Sequence, residues 1–444
     1  MTDSGTNYYQ ADELRKNKQY AEAEIAFRTL WDSHPTANVG WRWALCLRKL
    51  GRTEEALKTI MQAAQVFPHD EWLRKEHAWC LYSQEVKPAQ EAMDLGRVVR
   101  FAQRMVDLAQ DPLVIQRAAF SVIKVAKERG KWDVVDYWCR KLDPQQLGAE
   151  PQMIGERRSM SEREQWYYAQ VKALVHLEQW ADARTLALEA AAAFPHKDDF
   201  RRWAAQALAE TGDPTGAVGE LEVLIRRNNA PWYILVDLAQ LKFTLGQREE
   251  ALRLACRSAL AFGEDKAKVN LFAFLAEVGL NLNQPTFAAL NLALAKAVRE
   301  REGWPIKQDL VELEQRINAS LSSMDPIDIP SGTSQLIRRC QQEWSHQSIA
   351  GQTRYTGRVY KLPEGKSFGF IQPDMGGGDI FVRLRDLPRV AQNVGALVEY
   401  SLEASFDQVK NRDSVQAVSV RLVSKPAFNQ VASYSTSEKE VEWG

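Results

Sequence analysis

Cysteine is scarce in this chain of 444 residues: Cys46, Cys80, Cys139, Cys256 and Cys340 stand far apart, with no CxxC pair and no zinc-type spacing to histidine. A disulfide framework is not suggested, and structural zinc is not expected. Histidine is sparse too, six in all. His69 and His77 could share a helical neighbourhood but lack a third ligand, so both read as surface residues. Net charge is nearly absent, with 57 basic against 58 acidic side chains. A globally basic nucleic-acid binder is thereby excluded, and any strand binding has to be local. No apolar run approaches the ~20 residues of a membrane span, and the opening MTDSGTNYYQ lacks a basic-then-apolar signal. A reduced, cytoplasmic compartment without membrane contact is the expectation. The phosphate loop GxxxxGK[ST] and the HExxH, GxSxG and GxGxxG signatures do not occur. No enzyme, cofactor or metal is expected.

What the chain has in quantity is helix-forming sequence. From Tyr8 to about Trp304 apolar residues recur at helical spacing. Pairs of alanines twelve apart recur: Ala11 and Ala23, Ala44 and Ala56, Ala205 and Ala217, Ala239 and Ala251, Ala276 and Ala288. Second members step from Ala23 to Ala56, and from Ala183 through Ala217 and Ala251 to Ala288, intervals of 33, 34, 34 and 37. A small residue on each of two helices at fixed separation is what a close crossing requires. Turn signals at Gly51, Gly212-Asp213-Pro214 and Gly246 separate the helices, and Pro35, Pro68, Pro112 and Pro195 close units. With its period of ~34 residues, this pattern resembles the tetratricopeptide repeat (TPR). Gly40 to Pro68 and Trp166 to Pro195 are the clearest copies.

Two blocks of repeats are expected, 6–143 and 163–303, parted by the polar segment from Asp143 to Arg163. The first contains a stretched unit that Lys87-Pro88 interrupts, followed by a long helix from about Pro88 to Gln110. The tryptophans (Trp31, Trp41, Trp43, Trp72, Trp79, Trp132, Trp138, Trp166, Trp180, Trp203, Trp232) fall at hairpin-core spacing and read as packing. A capping helix is expected at 304–324, and 325–352 reads as a linker with a short helix carrying Arg338, Arg339 and Trp344. The tail 424–444 is expected to be disordered unless a partner captures Trp443.

The segment from Lys366 to Leu384 has a different period. KSFGFIQP and IFVRL read as two strands joined by a turn at Gly376-Gly377-Gly378. Period-two alternation puts Phe368 and Phe370 on one face and Phe381 with Arg383 on another, while Ile371, Ile380 and Val382 supply the core pleat. KSFGFI resembles the first ribonucleoprotein motif of cold-shock domains, KGFGFI, and IFVRL the second, VFVHF. Gly357-Arg358-Val359 is similar to the family's opening GxV, Val398-Glu399-Tyr400 to its VEF, and Val415 to Val420 to its PQAANV. The resemblance covers 353–423 and implies an OB-type five-stranded barrel that binds single-stranded RNA or DNA. Two aromatic positions of the family are lost, at Lys361 and Leu384, and Arg383 stands where the family has His. This segment carries ten basic and eight acidic side chains, a net of +2.

The fold class expected is therefore α + β multidomain, an α-solenoid of TPR-like hairpins followed by a small five-stranded OB-type barrel. The function expected is a non-enzymatic adaptor. A protein or peptide would lie in the concave face of the helical array, and single-stranded RNA or DNA on Phe368, Phe370 and Phe381, with Lys361, Lys366, Arg383 and Arg385 on phosphates. Two alternatives stand beside it: a pure protein scaffold with a degenerate barrel, and a helical ribonuclease using Arg339 and His346.

Overall fold

A computed structural model describes residues 7–151, 153–155, 157–226, 230–322, 329–407 and 412–423. The expectation for the tail 424–444 lies outside them. Helices come first: α1 (Tyr8–Lys16), α2 (Tyr20–Ser33), α3 (Ala37–Lys49), α4 (Thr53–Val66), α5 (Glu71–Leu81), α6 (Lys87–Glu91), α7 (Leu95–Leu108), α8 (Pro112–Glu128) and α9 (Trp132–Cys139). A short hairpin, β1 (Met153–Ile154) and β2 (Arg157–Arg158), precedes α10 (Glu162–His176), α11 (Trp180–Ala193), α12 (Asp198–Glu210) and α13 (Pro214–Arg226). Then follow α14 (Trp232–Thr244), α15 (Arg248–Leu260), α16 (Val269–Asn281), α17 (Pro285–Arg301), α18 (Gln308–Leu321) and α19 (Thr333–Gln347). The chain ends in β3 (Tyr355–Lys361), β4 (Phe368–Pro373), β5 (Ile380–Arg383), β6 (Leu397–Asp407) and β7 (Arg412–Leu422). This is an α-solenoid of TPR-like hairpins followed by a small closed barrel.

One turn chemistry makes the hairpins. Two residues beyond α1, α3, α6, α8, α10, α12, α14 and α16, the backbone turns to positive φ, at Lys18, Gly51, Met93, Gly130, Glu178, Gly212, Gly246 and Asn283. The next N–H donates to the carbonyl five residues back, as from Gln19 to Leu14 and from Gln247 to Lys242, both 2.9 Å. This Schellman closure satisfies the helix's last carbonyls and reverses the chain. Entry is fixed by side chains: Thr36, Asp70, Asp111 and Ser161 each accept the N–H three residues ahead. All ten alanines of the twelve-residue pairs are fully buried, at 0% exposure.

The chain forms two compact units, Met1–Gly216 and Ala217–Gly444. In the first, one apolar cluster spans Ala11 to Cys80 and another Ala78 to Ala207. The second cluster continues across the polar segment at 143–163, because Trp138, Leu147 and Trp166 all belong to it and the Trp166 indole donates to the Cys139 carbonyl at 2.9 Å.

Two local expectations are corrected here. Pro88 does not interrupt its helix: α5 passes through a π-helical turn, Tyr82–Val86, into α6, with Pro88 in the first turn of α6. A proline lacks the N–H that a regular turn would use, and the wider π register accommodates the missing bond. The long helix expected from Pro88 to Gln110 is two helices, parted at Met93 (φ 56°) and restarted by Asp94, whose carboxylate accepts the Arg97 N–H at 3.0 Å. Of the tryptophans, Trp31, Trp41, Trp138, Trp166 and Trp203 are buried, but Trp72 is 59% exposed with its ring stacked on Trp41 at 5.6 Å.

In the second unit, α18 sets Leu310, Leu313 and Ile317 against Ala276, Ala288 and Leu292 of the last hairpin. The helix expected within a linker is instead packed: α19 buries Leu336, Cys340 and Trp344. The Trp344 indole donates to Asn291 Oδ1 at 2.8 Å and stacks on Phe272 at 5.5 Å. Beyond it the strands close in the order β3-β4-β5-β7-β6, antiparallel except for the parallel β5–β7 pair. Val359, Ile371, Val382, Val398, Tyr400 and Ala417 fill the barrel.

Candidate nucleic-acid interface

The barrel core is complete without its three phenylalanines. In β4 and β5 the buried residues are Gly369, Ile371 and Val382, so Phe368, Phe370 and Phe381 point outward and are half-buried. Register brings them together. Phe370 pairs with Phe381 and Phe368 with Arg383 across the β4–β5 ladder. Ring centroids lie 5.6 Å apart for Phe368–Phe381, 5.8 Å for Phe368–Phe370 and 6.1 Å for Phe370–Phe381. Mutual edge and stacked contacts hold the rings in place, and each keeps part of its face open.

Lys361 joins this group from β3, where it pairs with Phe370. A bulge between Val359 and Lys361 turns two successive side chains to the exposed side, Lys361 and Tyr360, the latter 54% exposed. Tyr360 is thus an aromatic beside the position where the sequence shows one lost. Alternation from the buried Val359 already points Tyr360 outward, and it is Lys361 that reaches this side only through the bulge.

Arg383 is half-buried on the same face as Phe368. Burial, and then the charge of Arg385, lowers its guanidinium pKa from the ordinary value. Arg385 follows on the 3-10 turn Leu384–Asp386 and is exposed, with Nε 3.9 Å from Asp386 Oδ1. Burial raises the Asp386 carboxyl, against the pull of Arg385 and Arg383. Lys366 is exposed on the turn before Phe368, where its N–H donates to the Pro363 carbonyl at 3.2 Å. The structure therefore gathers Phe368, Phe370, Phe381, Arg383 and Lys361 on one face, with Arg385 and Lys366 on the turns that flank it.

The row does not stop at Phe381. Across the parallel ladder Phe381 pairs with Gln416, and Gln416 pairs with Glu403 on β6. Glu403 receives a two-point fork from Arg257 of α15, Nη1–Oε1 2.5 Å and Nη2–Oε2 3.0 Å. Neither Gln416 nor Arg257 is legible in the sequence as part of this face, because both depend on long-range pairing.

Elsewhere, Arg339 and His346 are both exposed on α19, and seven residues put them two turns apart, roughly 10 Å along the axis. Arg339 lies 3.7 Å from Glu343. His77 corrects its reading as a surface residue: it is half-buried, and burial, with Arg104 nearby, pushes its pKa down to about 4. The five cysteines are free and buried. Among the described residues, no group of three His, Cys, Asp or Glu side chains is placed to hold a metal, and no helix is long and apolar enough to cross a membrane.

Tetratricopeptide repeat family models match residues 39–70 and 168–231, where the alanine spacing is also clearest. No curated relative matches the chain. Among solved structures, it is similar to a tetratricopeptide repeat protein from Parabacteroides merdae, at 10% identity over 59% of this chain and 94% of that one (TM-score 0.28). It is similar to the TPR2AB domain of yeast Sti1 in its pHSP90 complex, at 12% identity over 70% and 96% (TM-score 0.27). The C-terminal part of a TPR repeat-containing protein from Cytophaga hutchinsonii is 14% identical over 69% and 99% (TM-score 0.31).

Proposed function

We propose that this protein is a two-module adaptor: the TPR-like array binds a protein or peptide partner, and the barrel is a cold-shock-like OB domain that binds single-stranded RNA or DNA. One observation carries the second half. Three phenylalanines lie side by side on the outside of a closed barrel whose core is filled without them. Packing gives no reason for such a cluster, whereas bases stack on it favourably at ~1–3 kcal/mol each. Tyr360 extends the stacking surface, and Lys361, Lys366, Arg383 and Arg385 contact phosphates. With a local net charge of only +2 over 353–423, binding is weak alone and salt-sensitive, so a partner held by the array strengthens it through tethering.

The test is fluorescence anisotropy of labelled oligo(U) and oligo(dT) against the full chain. Wild type is expected to bind at low salt, and Phe368→Ala, Phe370→Ala and Phe381→Ala combined to weaken binding by about 100-fold or more. Helical circular dichroism should be unchanged, since all three rings lie outside the core. Absence of wild-type binding at low salt would leave the barrel as part of a protein scaffold.

A further inference from the structure

Beside the aromatic face, the barrel and the helices of its own unit enclose a cleft of about 870 Å³. That volume falls within the ~300–1,000 Å³ of sites that hold small organic ligands. Its walls include Trp232 of α14, Arg257 of α15, Phe262 just after α15, and Arg383, Arg385, Gln416 and Arg421 of the barrel. We infer that the single strand continues from Phe381 into this cleft, which takes one or two further nucleotides. The inference rests on the reading of the barrel face as a strand-binding surface.

Four observations converge on it. First, the ladder is continuous: Phe370, Phe381, Gln416 and Glu403 form one cross-strand row, so a strand stacked on the first two is led to the last two. Second, the cleft has the right charge. Arg257, Arg383, Arg385 and Arg421 line it against Asp386 and Glu403, and Glu403 is neutralised by the Arg257 fork. Four positive groups against two negative ones suit a phosphodiester.

Third, Gln416 is only 4% exposed, and its amide nitrogen donates to Glu403 Oε2 at 3.4 Å. Its Oε1 has no hydrogen-bond partner among the described residues. A buried acceptor left open is costly unless a ligand fills it, and the exocyclic amine or imino N–H of a base is such a donor. Fourth, Phe262 is fully exposed at the lip. A bare phenyl ring beside arginines is suited to stack a base. The backbone N–H groups of an acidic peptide could also reach the open acceptor, but such a peptide has no aromatic face to set on the ring. Arg338 and Arg339 are exposed on α19 and do not line the cleft.

The experiment uses the full chain and labelled oligo(U) and oligo(dT) of about four and about ten nucleotides, lengths within the site sizes of OB folds. Phe262 and Arg421 are both exposed, so the variant Phe262→Ala/Arg421→Ala is expected to fold normally. It should weaken the ten-mer by about tenfold and leave the four-mer within about twofold. Phe370→Ala should weaken both lengths. Equal affinity of wild type and Phe262→Ala/Arg421→Ala for the ten-mer overturns the inference and leaves the barrel reading intact. Loss of ten-mer binding in the cleft variant with no effect of Phe370→Ala also overturns it, since the cleft would then not continue a barrel path. A poly-Glu peptide that loses affinity for Phe262→Ala/Arg421→Ala while the ten-mer binds this variant as it binds wild type would make the cleft a peptide site instead. If wild type binds neither length at low salt, the barrel reading fails and this inference with it.

Discussion

Arg257 on α15 and Glu403 on β6 meet as a two-point fork at 2.5 and 3.0 Å, although 146 residues separate them in sequence. Both side chains are mostly buried, 24% and 20% exposed. Removing one partner leaves the other charged and poorly solvated, which costs more than the pair contributes. Glu403→Ala is therefore expected to lower stability by about 1–3 kcal/mol. The swap Arg257→Glu/Glu403→Arg should recover part of what each single change loses. Urea titration of all four proteins in a double-mutant cycle measures the coupling. Simple additivity would mean that the fork contributes nothing.

The buried alanines set how closely paired helices approach. Ala44 on α3 is 0% exposed, as is Ala56 on α4. Ala44→Leu inserts three carbons where no space exists, and is expected to cost about 1–3 kcal/mol or more. The exposed Ala181 on α11 serves as control, because Ala181→Leu should stay within about 0.5 kcal/mol. Thermal melts followed by helical circular dichroism separate the two. Equal melting of both variants would show that the spacing reflects composition rather than packing.

The alanine spacing was legible because close helix crossing admits few side chains, and every member of the five pairs proved buried. Phe368, Phe370 and Phe381 were legible for a similar reason, since a two-residue period assigns faces without knowledge of the partner strand. The outward turn of Lys361 was not, because it depends on a bulge after Val359 that breaks the period. The helix carrying Trp344 read as part of a linker because its turn-rich flanks hide a contact with Asn291, 53 residues away. Pro88 read as a break because sequence does not reveal a π turn. Gln416 and Arg257 join the candidate site only through barrel closure and docking, which local pattern does not encode.

Gly369 separates Phe368 from Phe370 and faces inward. A Cβ there would lie 2.5 Å from Leu362 Cδ2 and 2.8 Å from the Lys361 carbonyl oxygen. The carbonyl belongs to the neighbouring backbone and cannot swing aside as a side chain could. Gly369→Ala is expected to destabilise the barrel by about 1–3 kcal/mol. Gly378 in the β4–β5 turn meets nothing within 4 Å, so Gly378→Ala should be nearly neutral. Amide hydrogen exchange of the strands during urea unfolding reports the barrel separately from the helices, and an unchanged midpoint in Gly369→Ala would contradict the close approach.

His77 gives the first unit a pH dependence whose sign is fixed by burial. Its pKa is depressed from 6.5 to about 4, first because the charged form is poorly solvated and then because Arg104 is near. Above pH 6.5 the imidazole is neutral in both folded and unfolded chains and has no effect on the slope. As pH falls from 6.5 towards 4, the unfolded chain binds a proton that the folded chain refuses, so stability is lost, by up to about 3 kcal/mol. Asp12 acts in a lower window: burial alone would raise its carboxyl, but hydrogen bonds from Arg15, Arg42 and Lys16 hold it well below its usual range. Its contribution is present above the ordinary carboxylate pKa and fades only as pH falls through that value and below. Urea midpoints at pH 7, 6 and 5 lie above the Asp12 window, but His176, which burial also depresses, shares them, so comparison with a His77 variant isolates this histidine. His77→Gln cannot take up the proton, so the variant should lose less stability across this interval than wild type does. Parallel losses in the two proteins would mean that the imidazole is solvated and titrates normally.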